Sequence, residues 1–108
     1  MQFALRVLKL AEALRNKAPG RTIAGQITRS GCSVAANYRA ALRAKSRPDF
    51  VNKITIVLEE VDETAFWIEL IERAGLLPSG RLGELKTEAE ELTKIFNATR
   101  TSARNHKS

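Results

Sequence analysis

The chain is poor in the residues that build most catalytic and cross-linked sites. It has one cysteine, one histidine and three prolines among 108 residues. A lone cysteine, Cys32, excludes an internal disulfide framework and is compatible with a reducing compartment. Because His106 is the only histidine and lies in the tail, the sequence supports neither a Cys/His nucleophile pair nor a structural zinc site. With only six glycines as well, the composition favours helices.

Long apolar runs and phosphate-binding loops are missing too. Arg6, Lys9 and Glu12 interrupt the first residues, so we expect no signal peptide. No window approaches the ~18 to 20 apolar residues that a membrane span needs, and we therefore expect a cytoplasmic protein. The sequence has no Walker-type loop and no Glu-x-x-His pair of the di-iron bundles. We expect a non-enzymatic protein without catalytic residues, metal or cofactor.

Charge is segregated along the chain, although the total is only +6. Residues 1–47 hold ten Lys or Arg and one acid, and residues 48–92 hold four and eleven. Residues 93–108 add four Lys or Arg and no acid. A pI near 10.0 suggests nucleic acid as the first class of partner and an anionic membrane surface as the second.

The spacing of apolar residues predicts four amphipathic helices, over about 2–17, 22–44, 48–74 and 79–98. Four such helices with short turns give an all-α fold, an antiparallel up-down-up-down four-helix bundle. A chain of this length has room for one domain. We place the bundle at residues 1–98 and expect a basic, frayed tail over 99–108.

Local signals set the expected helix ends. Pro19 and Gly20 predict a break before helix 2. Ser46 followed by Pro48 is typical of a helix start, and Gly75 is typical of a helix end. The expected core stripe of helix 3 contains Phe50, Ile54, Val57, Leu58, Val61, Ala65, Ile68 and Ile71.

A basic surface is predicted on the back of helix 2. At 100° per residue, Arg29, Arg39 and Arg43 fall within about 80° of one another, beside Cys32 and small residues. Lys45 and Arg47 follow directly, which completes the candidate nucleic-acid-binding set. Lysine and arginine bind polyanions by releasing condensed counterions, so such a surface suits phosphate contacts. Three interpretations stay open: RNA or DNA, structural or intersubunit ion pairs, and anionic lipid.

Helices 1 and 3 carry more apolar residues than one core face can use. The candidate oligomer interface consists of Leu5, Leu8, Ile56, Glu59, Glu63, Trp67 and Leu70. Contiguous exposed apolar patches commonly mark interfaces, and symmetric homo-oligomers are their usual form. Glu59 and Glu63 are predicted to meet the basic helix 2 of a neighbouring subunit. The alternative is that neighbouring helices of the same chain shield these groups.

These residues, taken in order, resemble the bacterial four helix bundle protein family, also called the ribosomal RNA intervening-sequence protein family. The resemblance covers about residues 3–92. Its motifs are Phe3-Ala4-Leu5-Arg6, Lys9-Leu10, Gln26-Ile27, Arg29-Ser30-Gly31, Ser33-Val34, Ala36-Asn37, Ser46, Asp49-Phe50, Lys53, Leu58-Glu59-Glu60, Glu63-Thr64, Trp67 and Leu70-Ile71.

The resemblance implies an antiparallel bundle that assembles into a ring-shaped homopentamer. A related protein, the accessory subunit of diversity-generating retroelements, binds nucleic acid and a reverse transcriptase through basic surfaces. Members similar to this chain often keep a glutamate three residues after Asn37, where this chain has Ala40. Tyr38 and Arg39 also replace smaller residues, so helix 2 is more basic here than the family pattern requires.

The sequence therefore predicts an oligomeric scaffold that contacts the phosphate backbone of RNA or DNA through helix 2. The alternative is a structural or protein-partner adaptor whose arginines are used in subunit contacts.

Overall fold

A computed structural model describes residues 1–16 and 18–105 of the chain. The four helices are α1 (Gln2–Leu14), α2 (Ala18–Leu42), α3 (Arg47–Arg73) and α4 (Ser79–Asn105). The prediction of four helices in an all-α bundle is confirmed. None of these helices is both long and apolar enough to cross a membrane.

The start and the end of α3 follow from its sequence. Ser46 has an extended backbone, and its side chain accepts a hydrogen bond of 3.2 Å from the Asp49 backbone N–H. This bond satisfies one of the free N–H groups of the first turn, and Pro48 lies where an N–H is not needed. After Ala74 the chain leaves the helix at Gly75, whose φ of 66° is the left-handed conformation that glycine adopts without strain.

Three helix boundaries differ from the sequence expectation by three residues or more: the end of α1, the start of α2 and the end of α4. α1 ends at Leu14, and the expected last residue, Lys17, lies outside the described residues. The expected break at Pro19 and Gly20 is wrong, because both residues belong to the first turn of α2. Proline is well tolerated in a first turn, where its missing N–H has no intrahelical partner.

The C-terminal boundary differs as well. α4 continues as a helix to Asn105, where the sequence analysis expected fraying after residue 98. The segment is polar, so the spacing of apolar residues did not predict a helix there. In the structure, Arg100 of this segment donates a hydrogen bond to Thr55 of α3 over 3.4 Å. Residues 106–108 of the expected tail lie outside the described residues.

Contacts between helices show the antiparallel, up-down-up-down order. Near the end of α3, Glu72 meets Lys86 early in α4, whereas Thr55 early in α3 meets Arg100 late in α4. Each helix packs on the next one in the chain, and α1 also packs on α4, where Arg6 pairs with Glu88 at 2.9 Å. Within the described residues, α1 and α3 do not pack on each other, so they are diagonal in the bundle.

Glycine allows α1 and α2 to approach closely. A Cβ atom added to Gly31 would lie 2.7 Å from Val7 Cγ1, and one added to Gly20 would lie 2.5 Å from the Leu14 carbonyl oxygen. Both distances are shorter than a van der Waals contact. The close packing that the small residues of α2 suggest is therefore present at Gly31, and a larger residue there would push the helices apart.

The core of the bundle is apolar except for one buried pair of hydroxyls. Ile54, Val57 and Ile68 of α3 are buried as predicted. Thr64 and Ser30 are also fully buried, and the Thr64 hydroxyl donates to Ser30 Oγ over 2.9 Å. Leu58 is only half-buried and packs against the rim of the core.

The helices differ in length, which leaves part of the bundle with three helices. α1 has 13 residues, whereas α2, α3 and α4 have 25, 27 and 27. At ~1.5 Å per residue, α1 is about 20 Å long and its neighbours are about 38 to 40 Å long. Beyond the start of α1, the late residues of α2 and α4 are therefore not covered by a fourth helix.

Candidate nucleic-acid interface

A basic hollow lies between the end of α2 and the beginning of α3. Arg39 reaches it from α2, Arg43 and Lys45 from the turn after α2, and Lys53 from α3, and Ala36, Ala40 and Asp49 complete its lining. We refer to these seven residues as the basic hollow. Four of them are cations and one is an acid, so the hollow has a net charge of +3.

The four cations of the hollow have no carboxylate partner. Within residues 1–16 and 18–105, the five salt bridges involve Arg6, Arg29, Arg73 and Lys86 only. Unpaired, solvent-exposed cations attract anions without first breaking an existing ion pair. Arg39 lies in the last turn of α2, and Arg43 follows its last residue, with its backbone N–H bonded to the Ala40 carbonyl over 3.1 Å.

The start of α3 holds the hollow in shape. Asp49 forms two hydrogen bonds with neighbouring residues. Its backbone N–H donates to Ser46 Oγ, and its Oδ2 accepts a long bond of 3.4 Å from the Lys45 backbone N–H. These bonds fix the short turn after α2, which places Lys45 beside Arg43. Ala36 and Ala40 have small side chains, so the floor of the hollow admits a bulky anion close to the α2 backbone.

Arg29 does not belong to this surface. Its Nη1 donates to Glu60 Oε2 over 3.0 Å, and its Nη2 contacts Glu63 Oε2. The prediction that Arg29 shares one free basic face with Arg39 and Arg43 is therefore corrected. α2 and α3 are rotated so that Arg29 faces the acidic part of α3. The same contacts correct the expectation for Glu63, which meets α2 of its own chain.

The remaining basic candidate, Arg47, lies in a different place. It is half-buried in the first turn of α3 and lines a separate hollow with Phe50, Thr99 and Ala103. Arg47 therefore points toward α4, and the structure does not bring it together with Arg43 and Lys45.

The candidate interface residues divide into two surfaces. Leu5 and Leu8 are exposed on α1, and Leu70 is exposed on α3 beside Phe66, the most exposed aromatic side chain of the chain's described part at 54%. The last candidates are Glu59, which is exposed, and Ile56 and Trp67, which are half-buried. Because α1 and α3 are diagonal, their outward faces lie on opposite sides of the bundle.

Trp67 has an internal role as well. Its indole N–H donates to Glu63 Oε2 over 3.3 Å, and its ring packs on Phe66 at a centroid distance of 4.9 Å. Glu63 is thereby held between Arg29 and Trp67. The shielding of some apolar groups by the same chain, which the sequence left open, applies to Trp67.

Sequence reasoning missed Lys53 as a member of the hollow. It belongs to α3, one helix away from the arginines, and reaches them because α2 and α3 run antiparallel from a short turn. The signal was available: Lys53 is the only cation in the first half of the acidic segment, 48–70. Within the described residues, no three histidine, cysteine or carboxylate side chains are placed to hold a metal ion.

A small antiparallel helical bundle with a basic outer surface is the class of protein that this fold defines. The sequence pattern of the 23S rRNA-intervening sequence protein family matches residues 1–98, and the chain belongs to that family. This confirms the resemblance drawn from the motifs.

A solved structure agrees with the family assignment. The chain is similar to a protein of unknown function from the S23 ribosomal protein family of Bacteroides thetaiotaomicron, whose crystal structure is known. The two chains are 34% identical over 92% of each, with a TM-score of 0.87. None of the curated proteins matches this chain.

Proposed function

We propose that this protein is a non-enzymatic, oligomeric scaffold of the cytoplasm that binds the phosphate backbone of RNA or DNA through the basic hollow. The observation that carries the proposal is the set of four cations, Arg39, Arg43, Lys45 and Lys53, around one carboxylate, none of which forms a salt bridge within residues 1–16 and 18–105. The family description, which refers to intervening sequences of 23S ribosomal RNA, is consistent with a nucleic-acid partner.

The chemistry of the hollow favours contacts to phosphate over contacts to bases. Lysine and arginine neutralise phosphates and release counterions, which is the main source of affinity that does not depend on sequence. The walls of the hollow are two helices that lie against each other, and neither projects as a separate recognition helix would. The hollow therefore holds a backbone without reading its sequence.

Assembly is the second part of the proposal. Leu5 and Leu8 on α1 and Phe66 and Leu70 on α3 are exposed apolar side chains. Contacts between unlike surfaces of successive subunits generate rings when the rotation closes, and these two faces on opposite sides fit such a contact. A ring, which the resemblance gives as a homopentamer, would repeat the basic hollow in every subunit.

A salt titration tests the nucleic-acid part. A fluorescent 20-nucleotide RNA and the matching DNA duplex are titrated with the protein at several salt concentrations, with anisotropy as the readout. If four phosphates are neutralised, the logarithm of affinity should fall with the logarithm of salt with a slope of about −3.6 for duplex DNA and about −2.8 for a single strand. A slope near zero would contradict the proposal.

Paired variants show whether the hollow carries the binding. Arg43→Gln combined with Lys53→Gln should reduce affinity at least tenfold at low salt and flatten the slope by about 2 units. Arg21→Gln is the control, because Arg21 is exposed on the same helix but lies outside the hollow. Equal affinities of the two variants would move the binding site away from the hollow.

The alternative function is a structural or protein-partner adaptor that uses its arginines for subunit contacts. Arg29 shows that the chain also uses arginine for ion pairs, here with carboxylates of its own α3, where it is not available to a polyanion. The two functions differ in one measurement. An adaptor of this kind leaves the oligonucleotide free at every salt concentration while the Arg43→Gln, Lys53→Gln variant loses mass in light scattering.

A further inference from the structure

A second, apolar hollow lies on the side of α2 that faces α4. Tyr38 of α2 and Leu92, Ile95 and Phe96 of α4 line it, and Met1 closes one end. Leu42 follows Tyr38 by one helical turn and extends the same face. We call this surface the α2–α4 slot. Its volume beside Met1 is about 280 Å³.

The slot exposes large apolar side chains that a bundle normally buries. Leu42 is 65% exposed, Ile95 56% and Tyr38 42%. Tyr38 reaches across to Phe96, with ring centroids 5.5 Å apart, so the slot has an aromatic floor. Tyr38 has the spacing of a core residue of α2 relative to Ile27 and Val34, and it is exposed because α1 does not extend over it.

The slot has the width and direction of a groove that accommodates a helix. α2 and α4 accommodate α1 between them as far as Phe3, and the slot continues the same track. Past the part that α1 covers, α2 goes on from Val34 to Leu42 and α4 from Ile95 to Asn105, or about 12 and 15 Å at ~1.5 Å per residue. Two to three helical turns can lie there, in the manner of an amphipathic helix in a groove.

The charges beside the slot indicate what kind of helix fits. Arg39 and Arg43 follow Tyr38 and Leu42 by one residue each, so a cation lies beside each apolar residue on the α2 flank. Neither arginine has a carboxylate partner within residues 1–16 and 18–105. An occupant with carboxylates along the edge that faces α2 gains two ion pairs, whereas a basic or neutral one gains none.

A second copy of this chain is a poorer fit. Two copies that joined their slots face to face would bring their Arg39 and Arg43 side chains together, which like-charge repulsion opposes. The outer face of α3 is acidic, but it offers only Phe66 and Leu70 between carboxylates. Its inner side is committed to the core, so α3 cannot enter the track of α1.

We propose that the α2–α4 slot is a docking site for an amphipathic helix of another protein, with an apolar stripe toward Tyr38, Leu42 and Ile95 and carboxylates toward Arg39 and Arg43. The helix would continue the track of α1 and cover the uncovered third of the bundle. The contact is small, which is typical of a transient partner. The inference shares Arg39 and Arg43 with the proposed nucleic-acid site, whereas Leu42 and Ile95 lie outside the basic hollow and distinguish the two kinds of binding.

The test uses a designed peptide as the probe. A fluorescein-labelled helical peptide of about three turns carries leucines at alternating spacings of three and four residues, with glutamates along one edge. A scrambled peptide of the same composition is the peptide control. Leu42→Gln combined with Ile95→Gln is the slot variant, and Arg21→Gln is the protein control, because Arg21 is exposed on α2 and lines neither the slot nor the basic hollow.

The patterned peptide should bind saturably and at least tenfold more tightly than the scrambled one. The slot variant should lose at least tenfold in affinity, while Arg21→Gln keeps it, and Arg39→Gln should reduce the salt dependence. Equal binding of the two peptides, an unaffected slot variant, or no binding up to about 1 mM peptide would overturn the proposal.

Two further measurements on the slot variant separate other occupants. A fall in its mass by light scattering would show that a second copy covers the slot. A fall in its affinity for the 20-nucleotide RNA would show that the slot serves nucleic acid. Either result overturns the docking of a partner helix, and unchanged mass and unchanged RNA affinity support it.

Discussion

Arg29 of α2 pairs with Glu60 of α3 at 3.0 Å and also contacts Glu63, which accepts a bond from the Trp67 indole. This group of four residues holds the middle of α2 against α3, whereas the free arginines lie nearer the end of α2. We propose that these arginines have two different functions, a structural one at Arg29 and an anion-binding one at Arg39 and Arg43. Substitutions can separate the two.

Arg29→Gln should leave oligonucleotide affinity within about twofold of the unchanged protein, because its guanidinium is occupied by carboxylates. It should lower the free energy of unfolding by about 0.2 to 1 kcal/mol, the usual range for a largely exposed ion pair. Arg43→Gln should have the opposite pattern, with weaker binding and unchanged stability. Anisotropy titration and urea unfolding of the same samples check both, and a large loss of affinity in Arg29→Gln would contradict the assignment.

Gly31→Ala should destabilise the protein by about 1 to 3 kcal/mol, because its new methyl group would overlap Val7 of α1. Gly25→Ala is the matched control in the same helix, since a Cβ atom there meets nothing within 4 Å. Alanine is the better helix former, so Gly25→Ala should gain about 0.5 to 1 kcal/mol. Urea midpoints of the two variants should therefore move in opposite directions, and a shift of both to higher urea would show that α1 and α2 are not in close contact.

The buried hydroxyls of Ser30 and Thr64 should be energetically coupled. Thr64 donates to Ser30 Oγ at 2.9 Å and also lies 2.8 Å from the Glu60 carbonyl oxygen, while Ser30 bonds to the Ile27 carbonyl. Thr64→Val keeps the shape but removes the hydroxyl, and should cost about 1 to 3 kcal/mol. Combined with Ser30→Ala, the loss should be smaller than the sum of the two single losses by at least about 0.5 kcal/mol. Strict additivity in thermal or urea unfolding would show that the two hydroxyls act separately.

The oligomer is expected to depend on both outward apolar faces. Leu5→Glu on α1 and Phe66→Glu on α3 each place a charge among exposed apolar side chains, and each should reduce the mass measured by light scattering. Thr101→Glu, on the exposed side of α4, is the control and should not change it. An unchanged mass in both face variants, or a monomer for the unchanged protein at micromolar concentration, would refute the assembly.

The sequence predicted the helices well because the spacing of apolar residues indicates which residues share one face of a helix. That signal does not depend on how the helix packs against the other helices. Ile54, Val57 and Ile68 were placed in the core on this basis and are buried. Leu58 shares the stripe but lies at its edge, so a substitution there should cost less than one at Ile54.

What depends on relations between helices could not be predicted from one chain. The rotation of α2 against α3 decides that Arg29 meets Glu60 and that Lys53 joins the arginines of the hollow. Burial of Thr64 depends on a partner 34 positions away in the sequence. Tyr38 has the spacing of a core residue, and its exposure follows only from the short length of α1.

In the proposed ring, the diagonal placement of α1 and α3 has a consequence for mixtures of chains. A subunit whose α1 face is damaged still has a sound α3 face, so it can join one end of a growing string of subunits and then stop further addition. A minority of such chains would terminate assembly and prevent many rings of intact subunits from closing. In a cell that produces both forms, the defect would therefore be dominant, and the severity would rise with the number of subunits that one ring requires.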